Sequence, residues 1–143
     1  MMEFKLDPRL NNDCFTLGKM QVCQLLLMNN ALVPWFILVP EVEATEIYQL
    51  NNDIQQRLLA EINQLSEFIT QEYVTDKLNV AAIGNIVNQL HVHIVGRTKN
   101  DFCWPNVVWG TDQKKTYSDH EVKNITQKLE NNLSTFTALK TYT

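Results

Sequence analysis

Glycine and proline are scarce in this chain, four of each in 143 residues, which excludes a collagen-like repeat or a flexible low-complexity protein. Cysteine is scarce too: Cys14, Cys23 and Cys103 are odd in number and far apart, with no Cys-x-x-Cys pair to suggest zinc or thioredoxin-like redox chemistry. The expectation is reduced thiols in a cytoplasmic protein. Nor is there a basic excess, since 12 Lys and Arg face 16 Asp and Glu for a net charge of −4. Nonspecific grip on a nucleic-acid backbone needs many cationic contacts to phosphate, so no nucleic-acid partner is expected, while a small phosphorylated ligand needs only local donors. No apolar run approaches the roughly 20 residues that cross a bilayer. The stretch "MMEFKLDPRLNND" has no positive region followed by an apolar core. Neither secretion nor a membrane partner is expected.

What is present is an ordinary globular composition, 45% hydrophobic and 20% charged, too apolar for disorder and long enough for one domain over residues 1–143. "MQVCQLLLMNN" and "WFILVP" are short apolar runs that predict two adjacent antiparallel strands. In "EATEIYQLNNDIQQRLLAEINQLSEFITQEY", Ile54, Leu58, Ile62, Leu65 and Ile69 recur at three- and four-residue steps and predict one long amphipathic helix. Asn52 and Gln55 resemble a capping box at its start. "DKLNVAAI" reads as a strand, Gly84-Asn85 breaks it, and "NQLHVHIVGR" resumes in strict alternation, a second hairpin. "NDFCWPNVVWGT" is a loop punctuated by Pro105 and Gly110, and Ser118 with Glu121 caps a final amphipathic helix. The order predicts an α+β domain: an antiparallel sheet of about five strands, one long helix packed on it, a core over about residues 14–105 and a C-terminal helix over about residues 118–138.

In the second hairpin, strand alternation puts Leu90, Val92 and Ile94 on one face and Gln89, His91, His93 and Val95 on the other. The apolar set reads as the core face, leaving a polar row with neighbouring imidazoles. Such a row suits nucleophilic attack by a neutral imidazole whose other nitrogen is held by a backbone carbonyl. His-x-His is also half of a metal site, but a closed zinc site needs about four ligands and no Cys or acidic cluster is near. Two partly exposed histidines that only decorate the sheet are the third reading, and spacing alone leaves all three open.

The residues carry a resemblance. "QLHVHIV" resembles the signature of the histidine triad (HIT) family, His-φ-His-φ-His-φ-φ with φ apolar, with Gln89 at the first histidine, His91 at the middle one and His93 at the third. "LMNNALVPWFILVP" is similar to the family's earlier hairpin, in which one strand ends in Asn or Asp and the next runs into Val-Pro, and Gly84-Asn85 resembles the family's Gly-Gln before the motif. With the long helix in the expected place between, the likeness covers about residues 14–105 in matching order. It implies a HIT-like fold and a metal-independent nucleotide hydrolase in which His91 attacks the α-phosphorus of a dinucleoside polyphosphate, phosphoramidate or adenylyl conjugate. The nucleotidyl-histidine so formed is hydrolysed by water. The resemblance implies that His93 contacts the phosphate or leaving group, Asn85 donates to the phosphate, Asn29 meets the ribose hydroxyls and Arg97 a distal phosphate. No cofactor and no metal are implied, and the family's habit of joining two sheets edge to edge implies a homodimer.

Each assignment has a plainer alternative. Asn29 and Asn30 sit at a strand end where Asn is a common turn residue, Asn85 fits a bulge after glycine, and a lone Arg97 fits a solvated strand end. Asn79, at the start of the preceding strand, is another residue that could face the site. Trp104 and Trp109 after the motif could stack on a base, or with Phe102 anchor an irregular loop to the core. His120 is expected at the surface. Gln89 can donate and accept but cannot protonate, so a protein that binds nucleotide with weak turnover is the second hypothesis. A nucleotidyltransferase acting on a phosphorylated sugar is the third, and related enzymes of that kind are much longer.

Overall fold

Apolar runs without alternation, such as Leu25-Leu26-Leu27 and Phe36-Ile37-Leu38-Val39, suit strands covered on both faces. The computed structural model describes residues 3–139 and buries all seven of these side chains. Its elements are α1 (Pro8–Asp13), β1 (Cys14–Lys19), β2 (Cys23–Met28), β3 (Trp35–Pro40), α2 (Asn52–Glu72), β4 (Lys77–Ala81), β5 (Val92–Arg97), α3 (Asp119–Asn132) and β6 (Thr137–Ala138). They build a 6-stranded sheet in the order β4-β5-β3-β2-β1-β6, with every neighbouring pair antiparallel. The fold is α+β, as the sequence pattern predicts, and both expected hairpins form.

Several boundaries differ from expectation, each for a local reason. Asn51 caps α2, its side chain accepting from Ile54 N at 2.9 Å, so Asn52 is the first helical residue, and Gln55 donates to Leu50 O instead of closing a box. Pairing in β5 begins at Val92, and just before it the carbonyl of Gln89 faces the His91 ring. The register of β1 shifts between Thr16 and Gly18, which spoils its alternation. The last helix stops at Asn132 and the chain turns back so that Thr137–Ala138 pairs with β1. Gly18 permits that approach, since a Cβ there would lie 2.9 Å from Ala138 Cα. Ser118 and Glu121 form the expected capping box of α3.

The sheet divides the core in two. On one face Leu25, Leu27, Phe36, Leu38, Val92 and Ile94 meet Leu58, Leu65, Phe68 and Ile69 of α2 and Ile125 and Leu129 of α3. Ile54 and Ile62 complete the stripe of α2 at its margin. The opposite face is covered without long helices. Leu26, Trp35, Ile37, Val39 and Val95 pack there against Leu10, Val33 and Val108, with Phe4, Leu6, Phe102 and Trp109 at the edges. A buried carboxylate, Glu61 of α2, ties the first face to the β1–β2 turn by accepting from Val22 N at 2.9 Å and Cys23 N at 3.0 Å. Burial pushes this carboxyl above its ordinary range, although those N–H donors favour the charged form. No helix among the described residues is long and apolar enough to cross a membrane.

Candidate active site

The second face holds the two histidines. His91 and His93 are both 6% exposed, and their rings stand 4.9 Å apart between centroids. His91 lies just before β5, where its Nδ1 is 2.7 Å from the carbonyl oxygen of Gln89. A carbonyl can only accept, so Nδ1 carries a proton and, in the neutral ring, Nε2 is the nitrogen with the lone pair. His93, within β5, is fixed the opposite way. Trp35 Nε1 donates to His93 Nδ1 at 3.0 Å, and an indole N–H can only donate, so the proton of neutral His93 sits on Nε2. Burial, reinforced by the neighbouring His91, pushes His93 down to about 3, and the ring is neutral near pH 7. The two imidazoles therefore offer one lone pair and one N–H.

They open onto a cleft of about 550 Å³ whose wall includes Leu10, Met28, Trp35, Val108 and Trp109. Trp109 meets His93 edge-on at 5.3 Å and Trp35 at 6.1 Å. Its Nε1 is buried without a hydrogen-bond partner among the described residues. Arg9 and Lys114 bring positive charge to the cleft, and Asp13 and Asp112 bring negative charge. Cys14 belongs to the core cluster of this face, its thiol raised by burial to about 12, which leaves it without thiolate character.

This geometry can be set beside known proteins. The HIT domain family model matches residues 9–100. The chain belongs to the HIT family. A histidine triad protein from Marinobacter aquaeolei VT8 is 42% identical, with 94% of this chain and 98% of that one covered and a TM-score of 0.88. Histidine triad proteins from Bradyrhizobium japonicum and Sinorhizobium meliloti 1021 are 37% and 35% identical, each covering 91% of this chain, at 98% and 97% of their own lengths and a TM-score of 0.87. No curated protein matches significantly. The part of this HIT protein beyond the family match supplies Val108, Trp109 and Lys114 to the cleft.

Not every residue singled out from the sequence lies in the cleft. His91, His93, Asn85 and Asn29 line it. Asn85 is exposed beside Gly84, whose φ of 66° is a conformation that suits glycine. Asn29 shares its Oδ1 with Tyr117 N at 2.9 Å, so it also pins the segment before α3. The side chain of Gln89 turns away from the imidazoles: its amide donates to Lys5 O at 2.9 Å and accepts from Asp7 N at 2.8 Å. Gln89 thus clamps the N-terminal segment with its side chain and orients His91 with its backbone.

Arg97 is 1% exposed and cannot reach a distal phosphate. It pairs with Asp101 at 2.7 and 3.0 Å, and donates to Asn79 Oδ1 at 2.9 Å and Asn106 O at 2.8 Å. The solvated strand end expected for it is also absent, because the 101–106 turn folds over the guanidinium. Trp104 lies 5.5 Å from the guanidinium carbon and Phe102 packs on the second core, so both anchor the loop, whereas Trp109 reaches the cleft. His120 is exposed. Among the described residues no three His, Cys, Asp or Glu side chains are grouped to hold a metal. The residues that the sequence reading missed are Arg9, Lys114 and Trp35. The first two have no local signal, and Trp35 sits inside an apolar strand and reads as core.

Proposed function

We propose that this HIT protein is a metal-independent nucleotide phosphate hydrolase, acting on dinucleoside polyphosphates, nucleoside phosphoramidates or adenylyl conjugates through a nucleotidyl-histidine on His91. The observation that carries the reading is the 2.7 Å contact between His91 Nδ1 and the Gln89 carbonyl, which leaves a neutral Nε2 lone pair in a cleft. In the first step that lone pair forms a bond to the α-phosphorus as the bond to the leaving group breaks, and the leaving group departs with the electron pair. His91 becomes cationic, and its Nδ1–H to the Gln89 carbonyl steadies that charge. Water then attacks phosphorus and gives up a proton to solvent, the P–N bond returns its electrons to Nε2, and a nucleoside monophosphate leaves with neutral His91 restored. The N–H on His93 Nε2 and the amide of Asn85 act on the phosphoryl oxygens as preset donors. An aromatic wall and the Trp109 N–H, without a partner among the described residues, suit a flat base with polar acceptors, and Arg9 and Lys114, matched in number by Asp13 and Asp112, offer local cations for phosphate.

A second reading, nucleotide binding with weak turnover, is favoured by the direction of Gln89, whose amide gives His91 no side-chain partner. One experiment separates the two. AMP release is measured from diadenosine polyphosphates, adenosine phosphoramidate and nucleoside diphosphates in the presence of a chelator. Chelator-resistant release by wild type, reduced on the order of 10³-fold or more in His91→Ala, is expected for a histidine nucleophile. Stabilisation by AMP with no release from any substrate supports the binding protein instead.

A further inference from the structure

We propose that Trp35 is a positioning residue for this reaction: by occupying His93 Nδ1, its indole N–H keeps the proton on His93 Nε2 and aims that N–H at the phosphoryl oxygens. The inference rests on the hydrolase reading of the cleft and adds a residue that lies outside the histidine signature.

The two residues meet through sheet register, 58 positions apart in the chain. In the β3–β5 pairing Ile37 stands opposite His93 and Trp35 opposite Val95, so Trp35 and His93 are diagonal neighbours on one face, within reach of large side chains. The donor is itself held, since Trp35 is 7% exposed and its ring meets Trp109 edge-on. A neutral imidazole without such a partner exchanges its proton between two nitrogens and can turn over in its pocket. Either change takes the N–H away from the phosphate, and the indole removes both freedoms before substrate arrives.

The same bond opposes charging of His93, because a second proton would have to sit on Nδ1, against the indole N–H. Burial and His91 act in the same direction. His91 is the titratable group in ring contact, at 4.9 Å. The other charged groups sharing the cleft are Arg9 and Asp13 of α1, and Asp112 and Lys114 after Trp109. No residue of β3 titrates, and the β4 residue opposite His93 is Ala81. His93 is thus a donor kept neutral by burial and His91, with its tautomer set by a neighbour that does not respond to pH.

The test pairs imidazole nitrogen NMR of His93 in the full chain with kcat for wild type and Trp35→Phe between about pH 5.5 and about pH 8. Wild-type His93 should stay neutral with its proton on Nε2 throughout. In Trp35→Phe the ring should stay neutral, because burial and His91 remain, but its proton should divide between Nδ1 and Nε2, and kcat should fall about tenfold, as for loss of one hydrogen bond. In a His93→Asn background the same Trp35 substitution should have little further effect on kcat. A wild-type proton on Nδ1 overturns the proposal, and needs no variant to be seen. So does a Trp35→Phe defect that persists undiminished in His93→Asn, since that is a packing defect. If the wild type turns over no nucleotide, the hydrolase reading fails and the positioning role with it, while the NMR result still decides the Trp35–His93 bond by itself.

Discussion

The two faces of the sheet are held by different forces. On the helix-covered face, Leu58, Leu65, Phe68 and Ile69 bury against Leu25, Leu27, Phe36 and Leu38, and the stabilisation comes from apolar area, about 1.5–3 kcal/mol for each large side chain. On the other face irregular chain is fastened by polar side chains at particular points. Gln89 grips Lys5 and Asp7, Asn30 grips Gln113 and Lys115, and Arg97 grips Asp101 and Asn106. Apolar burial tolerates exchange of one hydrophobe for another, whereas a point fastening depends on direction and cannot be exchanged. The face fastened by direction is the one that carries the histidines, where chemistry needs side chains held in fixed orientation.

Breaking each face at its strongest point should give losses of similar size and different character. Phe68→Ala, from a side chain 2% exposed, should cost about 3–5 kcal/mol in denaturant unfolding. Arg97→Met leaves the Asp101 carboxylate buried without its partner and should also cost about 3–5 kcal/mol. Residual Arg97→Met protein should lose nucleotide binding as well, since the 101–106 turn leads into Val108 and Trp109. Near-equal binding by the two folded variants would contradict the division. A smaller break is Gln89→Ala, expected to cost about 1–2 kcal/mol and to speed hydrogen exchange at the Asp7 amide. Because the carbonyl that holds His91 is backbone, turnover should fall less than about tenfold, and loss as large as in His91→Ala would mean that the side chain acts on the chemistry.

The faintest contrast is in pH. On the helix face, burial raises Glu61 above the usual 4.5. The folded state then binds more protons than the unfolded one in that window, and Glu61's contribution declines as pH rises from 4.5 through the raised value. On the other face burial opposes the charge of Asp101, but Arg97 and the N–H groups of Thr98 and Cys103 outweigh it and hold the carboxyl below the usual 3.8. Its contribution is complete above 3.8 and is lost as pH falls through the lower folded value. Glu61→Gln should flatten the first slope and Asp101→Asn the second, read from denaturation midpoints across pH. Unchanged slopes would remove these two groups from the account.

Much of the helix face is legible in the sequence because its signals are local. The three- and four-residue recurrence from Ile54 to Ile69 marks α2, and Ser118 with Glu121 marks the start of α3. The alternation in "QLHVHIVGR" puts Leu90, Val92 and Ile94 in the first core with the two histidines opposite. The other face is legible only in part. Asn85 and Asn29 line the cleft, but Arg97, four residues beyond His93, turns into a buried network that no local pattern announces. The bulge in β1 and the two-residue β6 are silent in the sequence because neither runs long enough in regular register to leave a period.

The sequence by itself determined the strands that need two covered faces, the helix stripe that covers one of them, and the pair of imidazoles on the other. These depend on contacts within a turn of helix or a few residues of strand, which periodicity records. Only the tertiary structure decided what the histidines can do. The proton on His93 is set by Trp35 from 58 residues away, and Gln89 is drawn to a segment 82 and 84 residues away. Hydrogen bonds of that span exist only once the sheet register and the closing of the N-terminal segment have brought donor and acceptor into line, because their strength depends on angle and distance rather than on composition.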